Sequence, residues 1–320
     1  VVGRLGARKT AISAGLAIYL FLPLVAVVPT APLLALVLAA MGMLDAPADV
    51  GMNAIGVRVE EAHGRSVMTR LHGLWSLGTV IGSGVSALAV LAGIGLGLQL
   101  SVISILAIGI ALYAARLIPD APPRMREGAR SGKLAVGLIL AGGFAVFAES
   151  TPFDWSAIFI VDVTGSGQAM AGAGLIVFTA GMLIGRLAGD QLIDRYGAIP
   201  TLYAGVTVSV CAMLLVVTLQ TVPSALGGFL VWGLGVSVVL PVLYKLAGSH
   251  RSFGEGSGLA ALTVGTRLGF MVAPALIGVA AASWSLPIAF AVVGTLAAAA
   301  CLLTVRLTIA TPVRVVDRSR

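Results

Sequence analysis

Ten unbroken apolar runs, each about the length of a bilayer-crossing helix, follow one another along this chain with almost no charge inside them. They cover roughly 10–29, 32–55, 70–92, 97–117, 134–160, 169–190, 199–219, 223–246, 257–280 and 285–308. The breaks carry turn chemistry: Pro29 with Pro32, the Gly-rich 93–97 stretch, Gly165-Ser166-Gly167, Pro223, and Ser283 to Pro287. A spanning helix needs about 20 mostly apolar residues. A spanning β-strand would instead alternate apolar and polar residues over about 10 positions. The expected fold class is therefore an all-α polytopic membrane protein. Charged residues are 10% of the chain, too few for the polar surface of a water-soluble domain, which carries about 25%.

The few basic residues give a direction. With Gly3–Lys9 placed inside, the inside connections hold Arg58, Arg65 and Arg70, then Arg116 to Lys133, Arg186 and Arg195, Lys245 and Arg251, and Arg306 to Arg320. The connections near 30, 95, 165, 221 and 284 hold no Lys or Arg. This asymmetry places both termini in the cytoplasm and the chain in a plasma membrane, a bacterial inner membrane by expectation. The net charge of +7 lies in short loops rather than on one soluble face, which argues against a nucleic-acid partner. Cys211 and Cys301 fall inside apolar runs and read as small core residues, with no disulfide framework and no metal spacing.

Two polar stretches echo each other 191 residues apart, Gly3-Arg4-Leu5-Gly6-Ala7-Arg8-Lys9-Thr10 and Asp194-Arg195-Tyr196-Gly197-Ala198-Ile199-Pro200-Thr201. Arg, Gly, Ala and Thr recur at the same four offsets, so two related helical halves are expected. Two helices, 134–160 and 169–190, precede the second copy, and nothing precedes the first. The expected layout is an incomplete N-terminal bundle over 1–118, a cytoplasmic linker over 119–133, a six-helix bundle over 134–310 and a cytoplasmic tail over 311–320. Ten of twelve helices would be present, with the first two missing. A natural ten-helix protein is the plainer alternative.

The fuller second copy, Gly185-Arg186-Leu187-Ala188-Gly189-Asp190-Gln191-Leu192-Ile193-Asp194-Arg195-Tyr196-Gly197, resembles the cytoplasmic-loop signature of the major facilitator superfamily. A second stretch resembles the helix 4 to helix 5 region of that superfamily's fucose-permease-like, sugar-transporting branch. It runs through Leu44-Asp45, Asp49-Val50-Gly51-Met52-Asn53, Glu60-Glu61, Gly64-Arg65, Met68, His72-Gly73 and Trp75-Ser76-Leu77-Gly78. Glu149 followed by Asp154-Trp155-Ser156 resembles the same branch's seventh helix. The resemblance implies two helical bundles around a central cavity, a secondary transporter, often proton-coupled, and a first helix that normally lines the cavity. Within the loop signature, Gly permits close approach and a φ > 0 turn, while Asp and Arg at helix ends either latch the inner face or simply anchor a short loop. The latch set comprises Arg4, Gly6, Arg8, Asp49, Gly185, Arg186, Asp190, Asp194, Arg195 and Gly197.

Ionisable groups at membrane depth are costly and are functional candidates by default. Glu149 and Arg267 both fall near the middle of their runs and are expected to neutralise one another, as a substrate or coupling pair or as a packing pair. Asp154, five residues beyond Glu149, lies about 7.5 Å further along and about 140° around the helix, so the two carboxylates do not share a face. Trp155 can stack on a sugar ring or anchor at the interface. Asp45, Asp49 and Asn53 follow i, i+4, i+8 spacing and line one stripe, with Pro47 between them as a kink site. Asp45 is the substrate or proton candidate, and Asp49 is expected to pair with Arg4 or Arg8. His72 can shuttle a proton or serve as a packing residue. Gly78-Gly82-Ser86 and Gly181-Gly185-Gly189 are small-residue stripes where helices can approach closely.

These readings converge on a secondary active transporter of a small polar solute, working by alternating access as a monomer with protons as the coupling ion and a sugar favoured as cargo. A multidrug or metabolite proton antiporter is the alternative within transport, and a non-transporting remnant or interaction protein the alternative outside it. The chain shows no His cluster, nucleophile elbow or phosphate loop, so neither an enzyme nor a cofactor is expected.

Overall fold

A computed structural model describes residues 2–119, 132–250, 253 and 256–309. After a short turn of helix at Val2–Leu5 come ten long helices: α1 Ala7–Val27, α2 Ala31–His63, α3 Met68–Leu91, α4 Leu96–Leu117, α5 Gly132–Val163, α6 Gln168–Tyr196, α7 Ala198–Leu219, α8 Val222–Ser249, α9 Ser257–Ser283 and α10 Leu286–Leu307. Among the described residues, nine of these are long and apolar enough to cross a membrane, and α3 is the other, at 24 residues. The ten expected runs are therefore all helical, and the chain is an all-α membrane protein. The expected linker, 119–133, and the tail, 311–320, fall almost wholly outside the described residues, as does Arg251.

Three helices overrun their apolar cores. α2 continues through Pro47 to His63, α6 to Tyr196 and α8 to Ser249. Polar residues near the helix ends make tertiary partners, so hydropathy alone ends these helices too early. The consequence for function is large, because Arg186 then lies ten residues inside α6, about 15 Å from its end, rather than in a connection.

Packing separates two sets. α1 packs on α2 and α4, whereas α5 packs on α9 and α10, and α8 packs on α6 and α7. In the apolar stretches of α1, α2 and α4 only 6–11% of residues are buried, against 28–72% in those of α5–α10, so the core sits in the second set. Its centre is an aromatic cluster of Phe159, Phe229, Trp232 and Phe290, with ring centroids 5.5–6.1 Å apart. Glycine sets the closest approaches. A Cβ on Gly181 would sit 2.1 Å from the Leu230 carbonyl oxygen of α8, and one on Gly265 would sit 2.0 Å from that of Ile139 on α5. The Gly181-Gly185-Gly189 stripe is thus a packing seam. Gly78 and Gly82, by contrast, have no close neighbour on another helix among the described residues, so that stripe forms no seam with them. Cys301 is buried, but Cys211 is exposed rather than a core residue.

The two echoed turns have the same shape. Gly6 (φ 84°, ψ 158°) and Gly197 (φ 89°, ψ 159°) each precede a long helix in a conformation open essentially to glycine alone. Thr10 and Thr201 each donate to the carbonyl of their glycine at 2.8 Å. Each glycine N–H in turn donates at 2.8 Å to a carbonyl four residues back, Val2 or Ile193.

Candidate functional site between the helix sets

The sets meet where α3 packs on α6 and where α2 and α3 approach α8 and α9. Polar contacts line this seam in three tiers.

The first tier lies at the end where α2 turns into α3. The Asp190 carboxylate of α6 accepts from the Thr69 N–H at 3.0 Å, the Arg70 N–H at 3.2 Å and Arg70 Nε at 2.7 Å, and also from the Thr69 hydroxyl. A buried anion thereby satisfies the orphan N–H groups that open α3. One turn on, Asp194 accepts from the Ser66 N–H at 2.9 Å. Glu60 accepts from the Val67 and Met68 N–H groups at 2.8 and 3.0 Å and pairs with Lys245 of α8 at 3.3 Å, and Lys245 also donates to Ser66 Oγ at 2.6 Å. Of the expected latch residues, Asp190 and Asp194 join this tier. Arg195 is exposed and lies over the Tyr196 ring, Arg8 donates to the Ala115 carbonyl within its own set, and Arg4 is exposed. Glu60, Ser66, Thr69, Arg70 and Lys245 are the partners that pattern reading did not assign to the site. Their signal was a polar, helix-opening turn facing an Asp-rich helix end.

The second tier is a relay at greater depth. Tyr244 donates to Asp49 Oδ2 at 2.9 Å and Thr263 donates to the same oxygen at 3.3 Å. Asn53 Nδ2 donates to Asp49 Oδ1 at 2.9 Å, and Asn53 Oδ1 lies 3.1 Å from His72 Nε2. That geometry makes His72 Nε2 the donor. The His72 and Tyr244 rings lie 5.4 Å apart. The Asp49–Asn53 stripe is therefore real, but Asp49 pairs with α8 and α9 and not with Arg4 or Arg8. Its acceptor-rich carboxylate finds hydroxyl donors across the seam, whereas Arg8 is directed to a carbonyl of α4.

The third tier holds two ion pairs near mid-membrane depth. Glu149 of α5 pairs with Arg186 of α6 at 3.3 Å, both side chains buried. Arg186 also donates to the Ser76 hydroxyl and to the His72 carbonyl of α3, and its guanidinium lies 5.9 Å from the Trp75 ring centre. Glu149 Oε2 and Arg186 Nε are buried and have no hydrogen-bond partner among the described residues. The second pair is Asp45 of α2 with Arg267 of α9, each side chain half-exposed. The expected Glu149–Arg267 pair is thus replaced by two others. Equal depth did not imply contact, because Arg186 sits closer to Glu149 within the same set. Asp154 is exposed where Glu149 is buried, consistent with their different faces. Trp155 is half-buried with its ring 3.3 Å from a Cβ built on Gly278 of α9, so it packs on a helix.

The chain matches the family description "Major Facilitator Superfamily" over residues 1–255. It is 31% identical to an uncharacterized MFS-type transporter of Yersinia pestis over 98% of this chain and 80% of that protein. It is also 31% identical to an uncharacterized transporter of Sinorhizobium fredii over 84% of this chain and 73% of that one. Its fold matches the crystal structure of the E. coli fucose:proton symporter with a TM-score of 0.77 at 18% identity, covering 96% of this chain and 85% of that one. A human organic anion transporter matches with a TM-score of 0.75 at 15% identity, covering 95% and 78%. A two-set helical membrane fold, sealed along its seam by matched polar tiers, and kinship over nearly its full length together place this chain in the major facilitator superfamily.

Proposed function

We propose that this transporter carries a small polar solute, a sugar by preference, by proton symport through alternating access. The carrying observation is the Asp45–Arg267 pair, which joins α2 to α9 at mid-depth while both side chains stay half-exposed. Ionisable groups at that depth normally face a cavity or a partner. Here each group has a partner and is still half-exposed, so a solute hydroxyl can compete for either charge. The fold likeness to a fucose:proton symporter supports the sugar and proton reading.

The basic residues put the first tier on the cytoplasmic side of the membrane, with both termini there. In this reading the closed end is the inner one, the arrangement expected of an outward-facing state. Glu149 is the coupling group in this reading. Protonation would free Arg186 from α5 and leave it held by Ser76, the His72 carbonyl and the Trp75 face, all on α3, so the charge on Glu149 sets how firmly α6 is tied to α5. The test uses proteoliposomes and a panel of hexoses, deoxyhexoses and organic anions. Glu149→Gln should abolish uptake driven by a pH gradient while leaving solute counterflow intact. Gradient-driven uptake at the wild-type rate in that variant would sink the coupling role, and no transport of any panel solute by the wild-type protein would sink the cargo class.

A further inference from the structure

We infer that a groove between α6 and α7 holds one acyl chain of an anionic phospholipid from the leaflet on the basic side of the membrane. α8 packs tightly on both neighbours and forms the floor, while α6 and α7 stay apart above it. The cavity so left has a volume of about 530 Å³, within the usual range for ligand sites of about 300–1,000 Å³.

Its α6 wall is a stripe at every fourth residue, Ile184, Ala188, Leu192 and Tyr196. From first to last this spans three rises of four residues, about 18 Å, close to one leaflet's share of a hydrocarbon core about 30 Å thick. Ile184, Leu192 and Val208 are 55%, 43% and 40% exposed, so the groove opens sideways to the bilayer rather than to the polar seam. Small residues make the opening, with Ala188 on one wall and Ala204 on the other. The two hydroxyls along it already donate their protons to backbone carbonyls, which leaves a polar guest no free donor from them. Thr201 donates to the Gly197 carbonyl at 2.8 Å and Ser237 to that of Leu234 at 2.6 Å. The occupant inside is therefore hydrocarbon.

The mouth supplies the complementary charge. Tyr196 ends the groove, and Arg195 lies 5.2 Å over its ring, exposed at the helix end. An exposed guanidinium beside a hydrocarbon slot matches the phosphate of a lipid whose chain lies in that slot. The site is remote in chemistry from the seam: it uses no residue of the Asp49 relay and neither ion pair.

The test is native mass spectrometry of the full chain released from nanodiscs of equal parts phosphatidylglycerol and phosphatidylcholine. The wild type should retain one phospholipid, with phosphatidylglycerol favoured about fivefold, the effect expected of one basic residue near an anionic surface. Ala204→Phe, on an exposed groove wall, should cut retention about fivefold by filling the slot. Ala188→Phe on the facing wall should do the same, which guards against a folding defect in either variant. Arg195→Gln should keep the lipid but lose the preference. Retention unchanged in both Phe variants overturns the groove, and an equal mixture of the two lipids on the wild type overturns the anionic headgroup.

Discussion

The two mid-membrane ion pairs use the same chemistry in opposite settings. Glu149–Arg186 is sealed, with both side chains almost inaccessible and α3 closing over the guanidinium. Asp45–Arg267 is half open on both partners. Burial decides what each can do. A sealed pair has lost its hydration and depends wholly on its partner, so removing one member leaves a stranded charge that costs about 3–5 kcal/mol. An open pair keeps water on both groups, and its loss costs about 0–1 kcal/mol. The sealed pair is thus suited to link protonation to helix packing, and the open pair to exchange its partner for a solute.

The comparison breaks first at Arg186. Arg186→Met should lower stability in detergent by about 3–5 kcal/mol, because Glu149 is left buried and unpaired. Adding Glu149→Gln should return a large part of that loss, since the stranded charge is then gone. Thermal unfolding of the single and double variants measures both. Equal melting of the two would mean that the buried charge is not what Arg186 answers.

A middle-sized effect sharpens the picture one turn away. Asp190 sits four residues beyond Arg186 on α6 and holds the opening turn of α3. Asp190→Asn keeps an acceptor there but drops the charge that meets Arg70. Hydrogen bonds to charged groups are worth about 1.5–3 kcal/mol each, so a population shift of more than tenfold toward a state with α3 and α6 separated at this end is expected. Spin-label distances between α3 and α6 report it. An unchanged distance distribution would mean that Arg186 alone holds the two helices.

What pattern reading reached, and what it missed, follow from the range of each force. The ten helices were legible because continuous apolar runs and Gly or Pro breaks are local. The twin turns at Gly6 and Gly197 were legible for the same reason, since a φ near 85° leaves its mark on a single residue. The partner of Glu149 was not. Depth along a helix can be counted from sequence, but rotation about its axis and the neighbour it meets depend on packing. Arg186 was placed in a connection because α6 runs on to Tyr196, leaving Gly197 as the single residue between α6 and α7. The two small-residue stripes look alike in sequence, yet among the described residues only Gly181-Gly185-Gly189 meets other helices, because a stripe permits close approach without requiring it.

The smallest stability effect carries the functional half of the comparison. Asp45→Asn removes one charge of the open pair while keeping its size. Both partners are half-exposed, so unfolding should shift by no more than about 1 kcal/mol. If Asp45 orders a hydroxylated solute as proposed, transport should suffer more than stability. Uptake at low solute concentration should fall at least about tenfold, equivalent to about 1.4 kcal/mol of lost interaction. Paired melting and uptake measurements on one preparation separate the two quantities. A destabilisation matching that of Arg186→Met would show that the open pair is structural after all. Full uptake with wild-type stability would remove Asp45 and Arg267 from the solute's path and leave the sealed pair as the mid-depth charge that the transport cycle uses.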